Sequence, residues 1–144
     1  MRSKQYLVGL VCALIMAVQP SMANSKESRM HVVGIHGQLI VPLVSLLTSP
    51  ENYVGKAVET IGYVGRDTSE VYLFKDSFES GDTSSGIFIH DRGVHQKFSR
   101  SCLESYVTVV GIFDYIENSG GYVFRDISQV LRQRPADICY EDKR

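Results

Sequence analysis

Hydrophobic and polar positions alternate most clearly between Tyr53 and Val64. Val58, Thr60, Gly62 and Val64 interleave with Glu59, Ile61 and Tyr63, the period-2 signature of a strand with two unlike faces. Gly55-Lys56 supplies a turn before the strand, and Gly62 interrupts it where a side chain would resist bending. The phrase returns as Val107-Thr108-Val109-Val110-Gly111-Ile112-Phe113, again with glycine on the inward phase. Two long, glycine-kinked strands of this kind suit a small, strongly curled barrel.

Three further strands are predicted at Val71 to Phe74, Gly86 to His90 and Tyr122 to Leu131, with the second glycine-kinked strand running from Tyr106 to Tyr115. In the last strand the apolar phase changes between Phe124 and Ile127, which predicts a bulge. Ser77 to Ser85 reads as a polar loop without core-forming residues, and Asp91 to Ser101 as a loop or short helix. Ahead of the barrel, Leu39-Ile40-Val41 predicts a short strand, and Pro42 opens a short helix through Leu47. Three strands, a connecting segment and a hairpin match the five-stranded OB barrel. The fold class expected is therefore all-β with a short helix: an OB-fold domain over residues 32–131 with an N-terminal apolar lead-in, then a polar tail over 132–144.

Composition changes this picture mainly at the ends. Met1-Arg2-Ser3-Lys4 precedes an uncharged apolar run from Tyr6 to Val18, then Pro20 and Ser21-Met22-Ala23. This reads as a secretory signal over residues 1–23, cleaved before Asn24, with 24–31 as a flexible leader. Of the 15 basic residues, Arg2 and Lys4 leave with the signal, so 13 face 16 acidic ones, a formal net charge of −3. A mildly acidic surface lacks the basic stripe that marks nucleic-acid binders. No later stretch is long and apolar enough to span a bilayer, so the mature chain is expected to have no membrane span and to be periplasmic or secreted.

Cys102 and Cys139 are the two cysteines left after cleavage, and in an oxidising compartment such a pair reads as a disulfide pinning the tail. They lie equidistant from a centre in the turn cluster Asn118-Ser119-Gly120-Gly121, so both would meet at the open end of one hairpin. The redox spacing Cys-x-x-Cys is absent.

Candidate chemistry is sparse. His90-Asp91 with His95, and His31 with His36, are metal-binding residue types, but neither set has the spacing of a known zinc site, so no metal is expected. There is no Gly-x-Ser-x-Gly elbow, no phosphate loop and no His-Glu-x-x-His, so no catalytic residues and no cofactor are expected. The aromatic residues say more. With Val58, Val64, Leu73, Ile87, Ile89, Val107 and Val109 facing inward, the opposite phase carries Tyr63, Tyr72, Phe74 and Phe88. OB barrels bind through the outer face of their second and third strands. The expected ligand site is thus Tyr72, Phe74 and Phe88, with Arg66 and Lys75 at the rim and Ser77 to Ser85 closing over it. The competing reading is that the apolar segment from Val32 to Leu47 covers these rings.

Val58 to Val64, Val71-Tyr72-Leu73-Phe74-Lys75-Asp76, Ile87-Phe88-Ile89-His90-Asp91, Val107 to Asp114, and Asp126-Ile127 together resemble the secreted bacterial OB-fold family known as BOF. The resemblance covers roughly Val44 to Leu131, and Val-Tyr-Leu-Phe-Lys-Asp is its nearest approach to a signature. The chain departs from the family in its longer apolar lead-in, its longer loop between strands two and three, and its cysteine pair. The resemblance implies a small periplasmic binding domain rather than an enzyme. Two classes of function follow: a binding domain for a small molecule, sugar or protein partner, or an oligomeric interaction subunit like the receptor-binding ring of a secreted toxin. The oligomeric state is left open.

Overall fold

Alternation along the long strands and glycines at their tightest points produce a closed barrel. The structure, a computed structural model, describes residues 32–34 and 37–142. The expected signal and leader, and His31 and His36, lie outside the described residues. Five strands form the barrel: β3 (Lys56–Val64), β4 (Glu70–Tyr72), β5 (Gly86–Ile89), β6 (Ser105–Ile116) and β7 (Gly121–Arg132). Neighbours run in the order β3-β4-β5-β7-β6, and β6 closes the ring on β3. All these pairs are antiparallel except β5 with β7, and this is OB-type connectivity. Three shorter strands extend the sheet: β1 (Val32–Val33), β2 (Leu39–Ile40) and β8 (Asp137–Glu141). Three helices of six residues each, rather than one, accompany them: α1 (Leu43–Thr48), α2 (Lys75–Ser80) and α3 (Arg92–Lys97).

The predicted inward set fills the barrel. Val58, Val64, Ile87, Ile89, Val107 and Val109 are all buried, joined by Phe113, Phe124, Ile127 and Val130 from β6 and β7. Leu73 is the exception, only partly buried, because β4 ends at Tyr72 and the chain turns into α2. The predicted bulge is present: opposite Gly111 the β6–β7 register shifts between Val110 and Ile112, and Asp126 adopts φ +46°.

β4 meets β3 only at Tyr63 and Val64, which leaves the first half of that edge of β3 open. β2 takes it in parallel at Val58 and Glu59, and α1 departs from this junction to bury Leu43 and Leu46. The apolar lead-in therefore packs into the barrel's seam and does not lie over its outer rings. Gly62 makes the packing possible: a Cβ there would stand 2.3 Å from Val71 Cγ1, 2.8 Å from the Tyr72 carbonyl oxygen and 3.0 Å from Leu43 Cδ2. Pro42 sits just before the helix, at its N-cap.

At the end where β5 leaves and β6 enters, α3 inserts the fully buried Val94. Asp91 holds this corner. Its Oδ1 accepts from the Gly93 and Val94 amides at 2.8 and 3.3 Å, capping the helix, while its Oδ2 accepts from the Ile127 amide at 2.9 Å. One carboxylate thus ties α3 to the β7 bulge.

The chain after Arg132 does more than trail from Cys139. Asp137–Glu141 folds back antiparallel on β7, pairing Ile138 with Leu131 and Tyr140 with Val130. The disulfide forms as expected, with Cα atoms 5.7 Å apart, but by a different route. Along the hairpin itself Val107 already faces Arg132, so Cys139 reaches Cys102 only because β8 carries it back, where the Cys139 carbonyl also accepts from the Ser99 amide at 2.8 Å.

Two outcomes follow from this packing. Gly62→Ala should lower stability by about 2 kcal/mol through overpacking against Val71 and fixed backbone. Gly111→Ala, whose nearest clash is Ile127 Cγ1 at 3.0 Å, should cost less; equal urea midpoints for the two variants would contradict this account. Reducing the disulfide should remove at most about 4 kcal/mol, the chain-entropy value for such a loop. Hydrogen exchange should then show β8 released while the β3–β6 ladder stays protected.

Candidate functional site

The five residues expected to form one site are divided among three places. Tyr72 is only 9% exposed, and its cover comes from α2, in the segment expected to be a loop without core residues. Phe78 packs its ring against Tyr72 at 5.5 Å and Tyr63 at 5.9 Å between centroids. Gly65 leaves room for it, since a Cβ there would lie 2.1 Å from Phe78 Cε2. Tyr106 flanks the cluster edge-on to Tyr63 at 5.4 Å. The rings of this part of the outer face are therefore core, as the competing reading held, but under Phe78 and not under residues 32–47.

Arg66 and Lys75 are engaged in surface ion pairs. Arg66 reaches Glu104 at 3.0 Å and Lys75 reaches Glu79 one helical turn on at 3.2 Å; at such exposure each pair contributes little. Phe74 is 57% exposed, and it borders none of the groove described next.

Phe88 is different. It is 48% exposed and lies in an open groove of about 730 Å³ along the outer side of β5. One wall is Leu46, Leu47 and Pro50, from α1 and the turn after it. Thr83 and Ser84 also line the groove, as do Gly120, Gly121 and Tyr122 at the β6–β7 hairpin tip. Glu70, Gly86 and His90 complete the lining named here. The groove thus lies beside the strands and final hairpin loop through which OB barrels bind.

Its walls are held firmly. Tyr122 stacks on the buried Phe113 at 5.6 Å with the planes 7° apart, and Tyr115 meets it edge-on at 5.2 Å. Gly120 closes the hairpin in the left-handed region at φ +68°. The Thr83–Ser84 rim is set by Asp82, which accepts from the Ser84 amide and hydroxyl at 3.1 and 2.6 Å and from the Ser85 hydroxyl at 2.5 Å. Those hydroxyls, Ser84 first, hold the Asp82 carboxyl below its ordinary range. A pocket with pre-set walls binds without an ordering cost.

His95, one of the candidate metal ligands, has both ring nitrogens occupied: Nδ1 with Thr68 Oγ1 at 2.9 Å and Nε2 with the Ile89 carbonyl at 3.0 Å. It latches the β3–β4 turn to the base of α3. His90 is exposed and lines the groove. No cluster of three or more His, Cys, Asp or Glu side chains suited to a metal occurs among the described residues. The residues that sequence reasoning missed are Leu46, Leu47, Glu70, Tyr122 and the hairpin glycines. Tyr122 alone left a trace, as an aromatic residue directly after a turn cluster.

Burial raises the Tyr72 hydroxyl pKa well above its ordinary value, followed in effect by the Glu70 carboxylate beside it. Burial likewise raises Tyr63. Both phenols stay protonated in the fold, so the stability they contribute is complete below the ordinary phenol range near 10 and is lost as pH climbs through the raised values. Phe78→Ala should therefore bring the Tyr72 titration down toward its ordinary value, read by ultraviolet absorbance. It should also lower stability by about 2 kcal/mol, less than for a fully buried ring. An unshifted titration would mean that Phe78 is not the cover.

Compared with known proteins, the chain matches no family model, no curated protein and no solved structure.

Proposed function

We propose that this protein is a non-enzymatic binding domain, exported to the periplasm, whose groove beside β5 takes a small organic ligand. The observation that carries the reading is the groove itself: about 730 Å³, with a half-exposed Phe88 and a fixed Tyr122 on the side of the barrel where OB folds bind. Its apolar wall and aromatic faces suit a ligand with an apolar or ring-shaped body, a sugar included. The signal-like first 23 residues support export, and the resemblance to the BOF family supports a binding role. The hydroxyl–imidazole contact of Thr68 with His95 lies outside the residues that line the groove, so it lends the groove no catalytic reading.

A second reading is an interaction subunit. It is favoured by the apolar side chains exposed on β1, β2 and β3: Val32, Val33, Ile40 and Ile61, each between 43% and 59% exposed. A ring of identical subunits would cover them.

Native mass spectrometry of the protein purified from its own periplasm separates the two. The binding reading expects a monomer or dimer carrying a small added mass. That mass should be lost in Phe88→Ala, which opens the groove, and kept in Phe74→Ala, which does not touch it. Retention in both variants, or loss in both, would place the site elsewhere. A defined larger oligomer without added mass would favour the subunit.

A further inference from the structure

We infer that the ligand of this groove carries an ammonium group on an apolar or aromatic body, and that the Glu70 carboxylate receives that group. The inference rests on the groove being the binding site and names the chemistry it selects. Glu70 opens β4 and faces Phe88 directly across the β4–β5 ladder. Its side chain lies over Gly86: a Cβ at that glycine would stand 2.9 Å from Glu70 Oε2 and 3.2 Å from the Tyr72 ring. Only a glycine leaves the carboxylate this place between Tyr72 and the strand that carries Phe88.

No cation of the described residues neutralises the carboxylate placed there; its polar neighbour is the Tyr72 hydroxyl. Oε2 is shielded from solvent and accepts no hydrogen bond, and Glu70 joins none of the ion pairs among the described residues. By contrast, the Asp91 carboxylate accepts from three amides and Asp114 is paired with Arg125 at 2.7 Å. A shielded carboxylate oxygen without a donor is costly and is a group that a ligand's donors can satisfy.

The surroundings favour a cation over a neutral hydroxyl. No lysine or arginine lines the groove, and His90 is the other titratable side chain there apart from Tyr122. An anion would therefore meet an unscreened negative charge. The half-exposed ring of Phe88 carries on its face the negative side of the ring quadrupole, which attracts ammonium groups. Leu47 and Pro50, which also line the groove, offer an apolar surface to the rest of the molecule.

The test uses the mature chain and three probes of one shape: 2-phenylethylammonium, 2-phenylethanol and 3-phenylpropionate, titrated at neutral pH and followed by amide NMR shifts. The ammonium should bind about tenfold more tightly than the alcohol, the scale of one charge-assisted contact, and the carboxylate most weakly. The shifts should centre on Gly86, Phe88 and Tyr122. Glu70→Gln should cut the ammonium affinity about tenfold and leave the alcohol unchanged, while Phe88→Ala should weaken both. Equal wild-type binding of ammonium and alcohol, or an unchanged ammonium affinity in Glu70→Gln, overturns the inference; the groove itself stands if Phe88→Ala still weakens both. Absence of any probe from the groove overturns the groove reading and the inference together. The wild-type comparison needs no variant, so it decides even if Glu70→Gln proves unstable.

Discussion

β3 has to serve two partners on one edge while closing the barrel with the other, and most of the structure follows from that constraint. Its full length pairs with β6, but the opposite edge passes from β2 to β4 partway along. Gly62 stands next to that transition, where Val71, the Tyr72 carbonyl and Leu43 all approach within 3.0 Å of the place a Cβ would occupy. A side chain there would force apart the strand pair and the helix that fills the seam. Because β4 is short, α1 is needed as filling; because α1 fills the seam with Leu43 and Leu46, the half-buried Leu47 beside them comes to line the groove.

The opposite end is braced by polar contacts instead of close packing. Asp91 commits both carboxylate oxygens to backbone amides of α3 and of the β7 bulge, and His95 joins the adjacent turn at Thr68 to the Ile89 carbonyl through its two ring nitrogens. The disulfide and β8 then bind the exit of β7 to the entry of β6. On the proposed binding reading, such bracing at both ends would favour a preorganised groove over an adaptable surface.

Electrostatics divides the outer face in the same way that packing does. Arg66 and Lys75 are matched by Glu104 and Glu79 near the Phe78 cluster, so that region is both covered and neutralised. Around β5 the Phe88 ring is half open and Glu70 has no cationic partner among the described residues. One outer face thus contains a completed core and an incomplete one, and the incomplete one borders the groove.

Alternation and glycine placement determined the barrel: the inward valines and isoleucines of β3, β5 and β6, the bulge before Ile127 and the pairing of Cys102 with Cys139 were all legible, because strand periodicity and cysteine chemistry are local properties of the chain. The division of the outer rings was decided by tertiary structure. Tyr72, Phe74 and Phe88 share one phase, yet one is buried and two are open, because Phe78 arrives from a six-residue helix hidden in a polar segment. β8 was equally hidden, since Asp137–Glu141 has little apolar alternation and gains its strand from the free edge of β7. The groove was beyond sequence reasoning for the same reason: Leu46, Glu70, Phe88 and Tyr122 are distant in the chain, and only closure of the barrel brings them to one place.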